Sequence, residues 1–158
     1  MMHLATRAPS GSNRQPFRFM VLRDGERARQ VRALLAEGAA EVWTAKKARN
    51  EFADDAPNSR TVRMLASMDH YVATFADAPV IVLPCMLRYR ESTPSEGASI
   101  YPAVQNLLLG ARSVGLGGAL TMFHTTRDAA IRLALELPDP AFIAATVTLG
   151  VPAGRHGP

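Results

Sequence analysis

The chain has 158 residues, 47% hydrophobic and 20% charged, enough to bury one core but short for two full domains. Wholesale disorder is excluded, and Gly and Pro, 11 each and without a fixed period, exclude collagen-like and low-complexity classes. The net charge of +4 rests on arginine, since Lys46 and Lys47 are the only lysines, and arginine suits planar anions such as carboxylate and phosphate.

Leu4 to Ala8 reads as the tail of a helix, and Pro9-Ser10-Gly11-Ser12-Asn13 as a loop of turn formers. Phe17 to Leu22 alternates aromatic and branched residues as a strand does, and Arg23-Asp24-Gly25 closes it. From Glu26 to about Phe52, Val31, Leu34, Leu35, Ala39, Val42 and Trp43 recur at helical spacing, with Gly38 as an expected break or kink. Asp54 to Ser59 is a polar connection from which Ser59 would cap a helix running to about Phe75.

Ala78 to Met86 is continuously apolar, the mark of a strand covered on both faces, and Pro84 within it belongs near an edge or strand end. Arg88 to Gly97 reads as a mobile polar surface loop. Ile100, Val104, Leu107, Leu108 and Ala111 form a helical stripe ending at Gly115, with Pro102 in the first turn where proline is tolerated. Gly117 to Phe123 suggests a strand in a tight, glycine-dependent approach; Thr126 would cap a helix through Leu137, and Phe142 to Leu149 is a final strand. Four strands separated by helices predict an α+β or α/β three-layer arrangement around a mixed sheet.

Familiar catalytic signatures are missing: there is no nucleophile elbow, phosphate-binding loop or Gly-x-Gly-x-x-Gly fingerprint. His3, His70, His124 and His156 fall at no metal-ligand spacing, so no metal is expected, and the lone Cys85 sits in an apolar strand as inert packing. With one cysteine no intrachain disulfide can form, and Met1 to Arg7 lacks the apolar core of a secretory signal, which predicts a reducing, cytoplasmic setting. The strongest apolar run, Pro79 to Leu87, is far short of the roughly 20 residues of a membrane span.

The segment Ala8 to Phe17 gathers hydroxyls, two amides and a guanidinium just before a strand, which suits a planar heterocycle with carbonyls and ring nitrogens. It is equally the composition of an ordinary turn. Mid-helix Gln105 and Asn106 serve either a ligand or buried backbone.

Ala8-Pro9-Ser10-Gly11-Ser12-Asn13-Arg14-Gln15-Pro16-Phe17 resembles the Pro-Ser-x-x-Asn-x-Gln-Pro-aromatic segment of the FMN-dependent nitroreductase family. Val104 to Ala111 followed by Val114-Gly115-Leu116-Gly117 is similar to that family's central helix and its Gly-Leu-Gly end. Leu137-Pro138 and Thr148 to Pro152 match its closing strand, so three motifs in register span Leu4 to Pro152. The resemblance implies a nitroreductase-like α+β fold over one domain, 1–158, with a mixed but mostly antiparallel sheet.

It further implies a homodimer that binds FMN at the subunit interface and passes electrons from NADH or NADPH to a small acceptor. Pro9, Ser10, Gly11, Ser12 and Asn13 would line the flavin with Gln15 supporting the loop. Leu120, Thr121 and Met122 would lie near the N5 edge of the ring. The family's N-terminal helix and basic phosphate-gripping segment would precede Met1, leaving Arg7, Arg14 or Arg18 as substitutes and Arg155 as the nearest late cation. The alternatives are a shortened module that binds flavin weakly or not at all and, more remotely, a nucleic-acid binder acting through its arginines.

Overall fold

Residues 1–52 and 60–154 are described by a computed structural model, and by Cα packing the chain divides into two units. The first comprises Met1–Asp24, Ala78–Met122 and Glu136–Pro158; the second comprises Gly25–Asp77 and Phe123–Leu135.

The first unit is built on five strands. Phe17–Leu22 (β1) pairs antiparallel with Val80–Leu87 (β2), placing Phe17 opposite Met86 and Leu22 opposite Ile81. Gly117–Thr121 (β3), Ala141–Ile143 (β4) and Thr146–Gly150 (β5) complete the order β1-β2-β5-β3, with β4 also on β2. β1 and β3 are therefore the edges. All of these pairings are antiparallel, so the expected mixed character is not formed by these strands. A parallel pair needs a crossover that returns the chain beside the strand it left, and here β5 inserts between β2 and β3.

The predicted last strand is two strands, because a bulge divides it. Between the Val82–Val147 and Cys85–Ile143 pairs, β2 has two residues where the opposing chain has three, and Ala144 and Ala145 take up the excess. The bulge also corrects the expectation for Pro84, which lies in mid-strand opposite Phe19 rather than at a strand end. A strand residue turns its N–H and C=O to the same side. The Pro84 carbonyl accepts from Ala144 N at 2.8 Å, so the donor that proline lacks would have faced the bulge, where no ladder bond is lost. Ile81 to Met86 are buried at odd and even positions alike, as the uninterrupted apolar run predicts.

Met2–Ala5 (α1) and Tyr101–Ser113 (α4) pack on this sheet; α1 stops at Ala5, short of the expected tail through Ala8. On α4, Val104, Leu107 and Ala111 form one stripe buried against Val82, Met86, Val147 and Leu149, and Pro102 sits in the first turn. Cutting Leu107 to alanine in such a core costs about 2–5 kcal/mol. Gly118 supplies the tight approach read from the sequence: a Cβ there would lie 2.7 Å from Leu149 and 2.8 Å from Leu108.

The second unit contains Glu26–Ala48 (α2), Arg60–Ala73 (α3) and Asp128–Ala134 (α5). α2 is continuous, so Gly38 is no kink. A Cβ on it would lie 2.2 Å from the Phe123 carbonyl oxygen, so glycine is there to admit the neighbouring backbone. Thr126 is not a cap either: it lies within the 3-10 turn Thr125–Arg127, and α5 begins at Asp128. That helix ends at Ala134 rather than Leu137, and Glu136 follows at φ 52°, the left-handed conformation that ends a helix. Arg127 ties α5 to α2 by pairing with Glu37 at 3.2 Å and with Glu41. Trp43, Phe75, Phe123 and Ile131 are buried, with Phe75 and Phe123 edge to face at 5.6 Å. The Asp54 to Ser59 connection, the Ser59 cap and Arg155 lie outside the described residues.

Candidate functional site

The loop from Pro9 to Pro16 enters β1 through a backbone few sequences adopt. Ser12, Asn13 and Gln15 have φ of 53°, 50° and 48°, three non-glycine residues in the left-handed region within four positions. Asparagine tolerates this conformation, but serine and glutamine do so at a cost of about 1 kcal/mol or more each. Local bonds hold the loop in place: Ser10 Oγ accepts from Gln15 N at 2.8 Å, Asn13 N donates to Ser10 O, and Arg14 N donates to Gly11 O.

A long-range bond anchors it, with Gly11 N donating to Ser99 Oγ at 3.0 Å. With these donors engaged inside the protein, the polar side chains face outward: Ser12, Asn13 and Gln15 are exposed, and Gln15 Nε2 reaches Asn13 Oδ1 only at 3.4 Å. Pro9, Gly11 and Arg14 are exposed as well, and Ser10 is half-buried. The structure thus joins Pro9, Ser10, Gly11, Ser12, Asn13 and Gln15 in one rigid polar bend.

It also brings to this bend a segment that sequence reasoning left without a motif. Arg88 pairs bidentately with Glu96 (Nε to Oε1 2.7 Å, Nη2 to Oε2 2.9 Å), and Ser92 Oγ donates to Glu96 Oε2 at 2.8 Å, so the loop from Arg88 to Gly97 is closed on itself. The Arg88 guanidinium holds the Glu96 carboxyl below its usual range, and Glu96 in turn raises Arg88. Arg88 also lies over the Phe142 ring at 3.9 Å.

Arg14 reaches across from the bend to stack on Tyr89 at 4.2 Å, and Arg90 lies 5.4 Å from the same ring. Between the two segments is a cleft of about 340 Å³, open solvent included, floored by Met86 and Pro16 and walled by Tyr89, Arg90 and Glu91. The stacking of Arg14 on Tyr89 had no sequence signal, since nothing in the spacing of positions 14 and 89 suggests it.

Leu120, Thr121 and Met122 are elsewhere. They lie on and just after β3, at the opposite edge of the sheet from the strand the bend feeds. Three strand spacings separate those edges, about 14 Å. Leu120 and Met122 are exposed, and Thr121 Oγ1 donates to Thr146 O at 3.4 Å. Within one copy of the chain, the two groups of predicted site residues therefore belong to opposite edges of the sheet.

The other nominated side chains have structural duties. Asn106 Nδ2 donates to Leu4 O at 3.1 Å, tying α4 to α1. Arg18 Nη1 donates to Phe17 O at 2.8 Å, so it is turned to its own backbone. Cys85 is buried, its Sγ 3.5 Å from Leu83 O. Among the described residues no helix is long and apolar enough to cross a membrane, and no three His, Cys, Asp or Glu side chains are grouped to hold a metal.

Comparison with known proteins places this geometry in context. The profile described as Nitroreductase family matches residues 1–151. A protein of Methanothermobacter thermautotrophicus, named as an NADH dehydrogenase/NAD(P)H nitroreductase, is 30% identical over 105 residues; the match covers 63% of this chain and 54% of that relative, about half its length.

Among solved structures, the FMN and NADPH-dependent nitroreductase NfnB from Sphigopyxis sp. strain HMH superposes with a TM-score of 0.65 at 20% identity, over 99% of this chain and 82% of that one. An iodotyrosine deiodinase bound to FMN and 3-iodo-L-tyrosine gives a TM-score of 0.67 at 21% identity, over 99% and 77%. At these identities the two structures establish a shared fold.

Proposed function

The chain belongs to the nitroreductase family, and from that membership and the geometry of the bend we propose that it is an FMN-dependent oxidoreductase. It passes electrons from NADH or NADPH to a small acceptor in two alternating half-reactions. The carrying observation is the bend itself. Three left-handed non-glycine residues present a hydroxyl and two amides outward while the backbone that holds them is bonded internally.

Amide and hydroxyl groups that both donate and accept fit the carbonyl and ring-nitrogen edge of a flavin, and a pre-set loop spends no binding energy on ordering itself. Ser12, Asn13 and Gln15 would hold that edge, with Pro9, Ser10 and Gly11 shaping the approach. The chemistry FMN supplies when bound is two-electron transfer between the nicotinamide and the acceptor. The protein's share is orientation and exclusion of water, which accounts for a site without a conventional acid-base constellation.

The 14 Å between sheet edges bears on assembly. A second copy whose β3 end approaches the bend would bring Leu120 to Met122 to the same flavin, and on that arrangement we read the protein as a homodimer with composite sites. Leu4, Leu109 and Val114, exposed by 45%, 58% and 63% on and around α1 and α4, suit such a contact.

Flavin-fluorescence titration with FMN combined with sedimentation tests both parts. Saturable quenching at one FMN per chain in a dimer is expected; a monomer that quenches no flavin overturns the reading.

A further inference from the structure

We propose that Ser99, two residues before α4, is a positioning residue for the cofactor: its hydroxyl holds the bend in the conformation that receives the flavin. That flavin is the ligand rests on the function proposed above; the bonds that hold the bend are this chain's own. Ser12, Asn13 and Gln15 all have positive φ, and such residues persist only where the surrounding structure over-determines them. The bonds within the bend span no more than five residues, so they define its shape. The fixed point against which that shape is held comes from the segment 87–99.

This segment meets the bend along its length. Leu87 N donates to Pro16 O at 2.9 Å where the chain enters β1, Arg14 stacks on Tyr89 at 4.2 Å, and Gly11 N donates to Ser99 Oγ at 3.0 Å. The Ser99 bond is the one placed to govern the left-handed pair. Gly11 opens the turn Gly11–Asn13, so the bond pins the residue directly before Ser12 and Asn13, while the Tyr89 and Leu87 contacts fall after them. The approach is close: a Cβ on Gly11 would lie 3.3 Å from Ser99 Oγ, so hydroxyl and loop backbone are in direct contact.

Ser99 stands on a firm base. It ends the 3-10 turn Glu96–Ser99, whose first residue is clamped bidentately by Arg88, and Ile100 N donates to Gly97 O at 3.1 Å. Ile100 and Ala103, the next residues into α4, are fully buried. A donor or acceptor carried on such an element orients a loop more precisely than the loop orients itself. Apparent affinity scales with the fraction of chains in the binding-competent arrangement, and one neutral hydrogen bond shifts that balance by roughly 2- to 13-fold.

The test compares Ser99→Ala and Ser99→Thr with the unmodified full chain. FMN binding is measured by fluorescence titration. The flavin-free chain is digested with trypsin, and cleavage between Arg14 and Gln15 in the bend is scored by mass spectrometry against cleavage between Arg18 and Phe19, which requires β1 to leave the sheet. Where opening is fast, cleavage tracks the population of the opened bend. Ser99→Ala is expected to weaken FMN binding and to raise the Arg14-to-Arg18 cleavage ratio, each by roughly 2- to 13-fold. Ser99→Thr, which keeps the hydroxyl, should stay within about twofold of the unmodified chain in both.

Unchanged FMN affinity in Ser99→Ala overturns the proposal. So does weaker binding with an unchanged cleavage ratio, which would mean that Ser99 does not act through the bend, and so does a threonine variant as impaired as the alanine one. Failure of the flavin reading is recognised separately: the unmodified chain would bind no FMN, while the cleavage ratio would still report whether Ser99 holds the bend.

Discussion

Replacing Asn13 by glycine tests the bend most sharply, because structure and ligand pull the outcome in opposite directions. Asn13 sits at φ 50°, where glycine has no Cβ to clash. The relief, up to about 1 kcal/mol, is partly cancelled by the larger entropy glycine gives the unfolded chain, about 0.4–1 kcal/mol. Folding stability should therefore change by less than about 0.5 kcal/mol, a shift of only 1–2 °C in Tm at about 2–4 °C per kcal/mol for a chain of this size.

The amide lost is one of two outward carboxamides on the bend. At about 0.5–1.5 kcal/mol for each neutral hydrogen bond, FMN affinity should fall roughly 2- to 13-fold for every bond the amide makes. Thermal melting of the flavin-free chain and fluorescence titration with FMN measure the two quantities independently. Unchanged FMN affinity in Asn13→Gly would refute the role given to the amide. A large Tm loss without flavin would mean that the amide holds the loop together instead.

Two further predictions concern the second unit. Gly38→Ala forces a Cβ to 2.2 Å from the Phe123 carbonyl oxygen, a backbone atom with little room to yield, so denaturant unfolding should show a loss of about 2 kcal/mol or more; a loss below 0.5 kcal/mol would restore the kink interpretation. Asp69 accepts from the indole of Trp43 and from Lys47, both at 2.7 Å, and these bonds, Lys47 first, hold its carboxyl below the usual range. Because the folded pKa is depressed, the bonds are intact above the unfolded value of about 3.9 and are lost as pH falls through the lower folded value. The emission of Trp43, the only tryptophan, should accordingly stay constant down to about pH 4 and change below it, and Asp69→Asn should abolish that step; a transition near pH 6 would contradict the assignment.

Much of the fold was legible because burial imposes periodicity. β2 is apolar throughout and α4 repeats its stripe at helical spacing, so each was recognised by its own residues; on β1 the alternation read from the sequence is not kept in burial, since Phe17 and Leu22 are buried while Val21 is exposed. What escaped were features created by a second piece of chain. Gly38 looks like a helix breaker until the Phe123 carbonyl is placed against it, and Pro84 looks like a strand end until the bulge at Ala144 and Ala145 removes the need for its donor.

The site follows the same division. The polar bend was identified by motif, yet the left-handed φ of Ser12, Asn13 and Gln15 is not written in their side chains. Tyr89 and Arg90 sit in a segment with no spacing to read, and only folding brings Arg14 to them. Leu120 to Met122 were nominated alongside the bend, and the strand order places them at the far edge of the sheet.

The most direct test is the visible spectrum of the protein mixed with one equivalent of FMN, freed of unbound flavin, and then treated with NADPH or NADH without oxygen. Retained yellow absorbance that bleaches on adding the nicotinamide and returns on adding a nitroaromatic is the predicted result. A protein that comes through the separation colourless, or stays yellow after the nicotinamide is added, contradicts a flavin-dependent oxidoreductase.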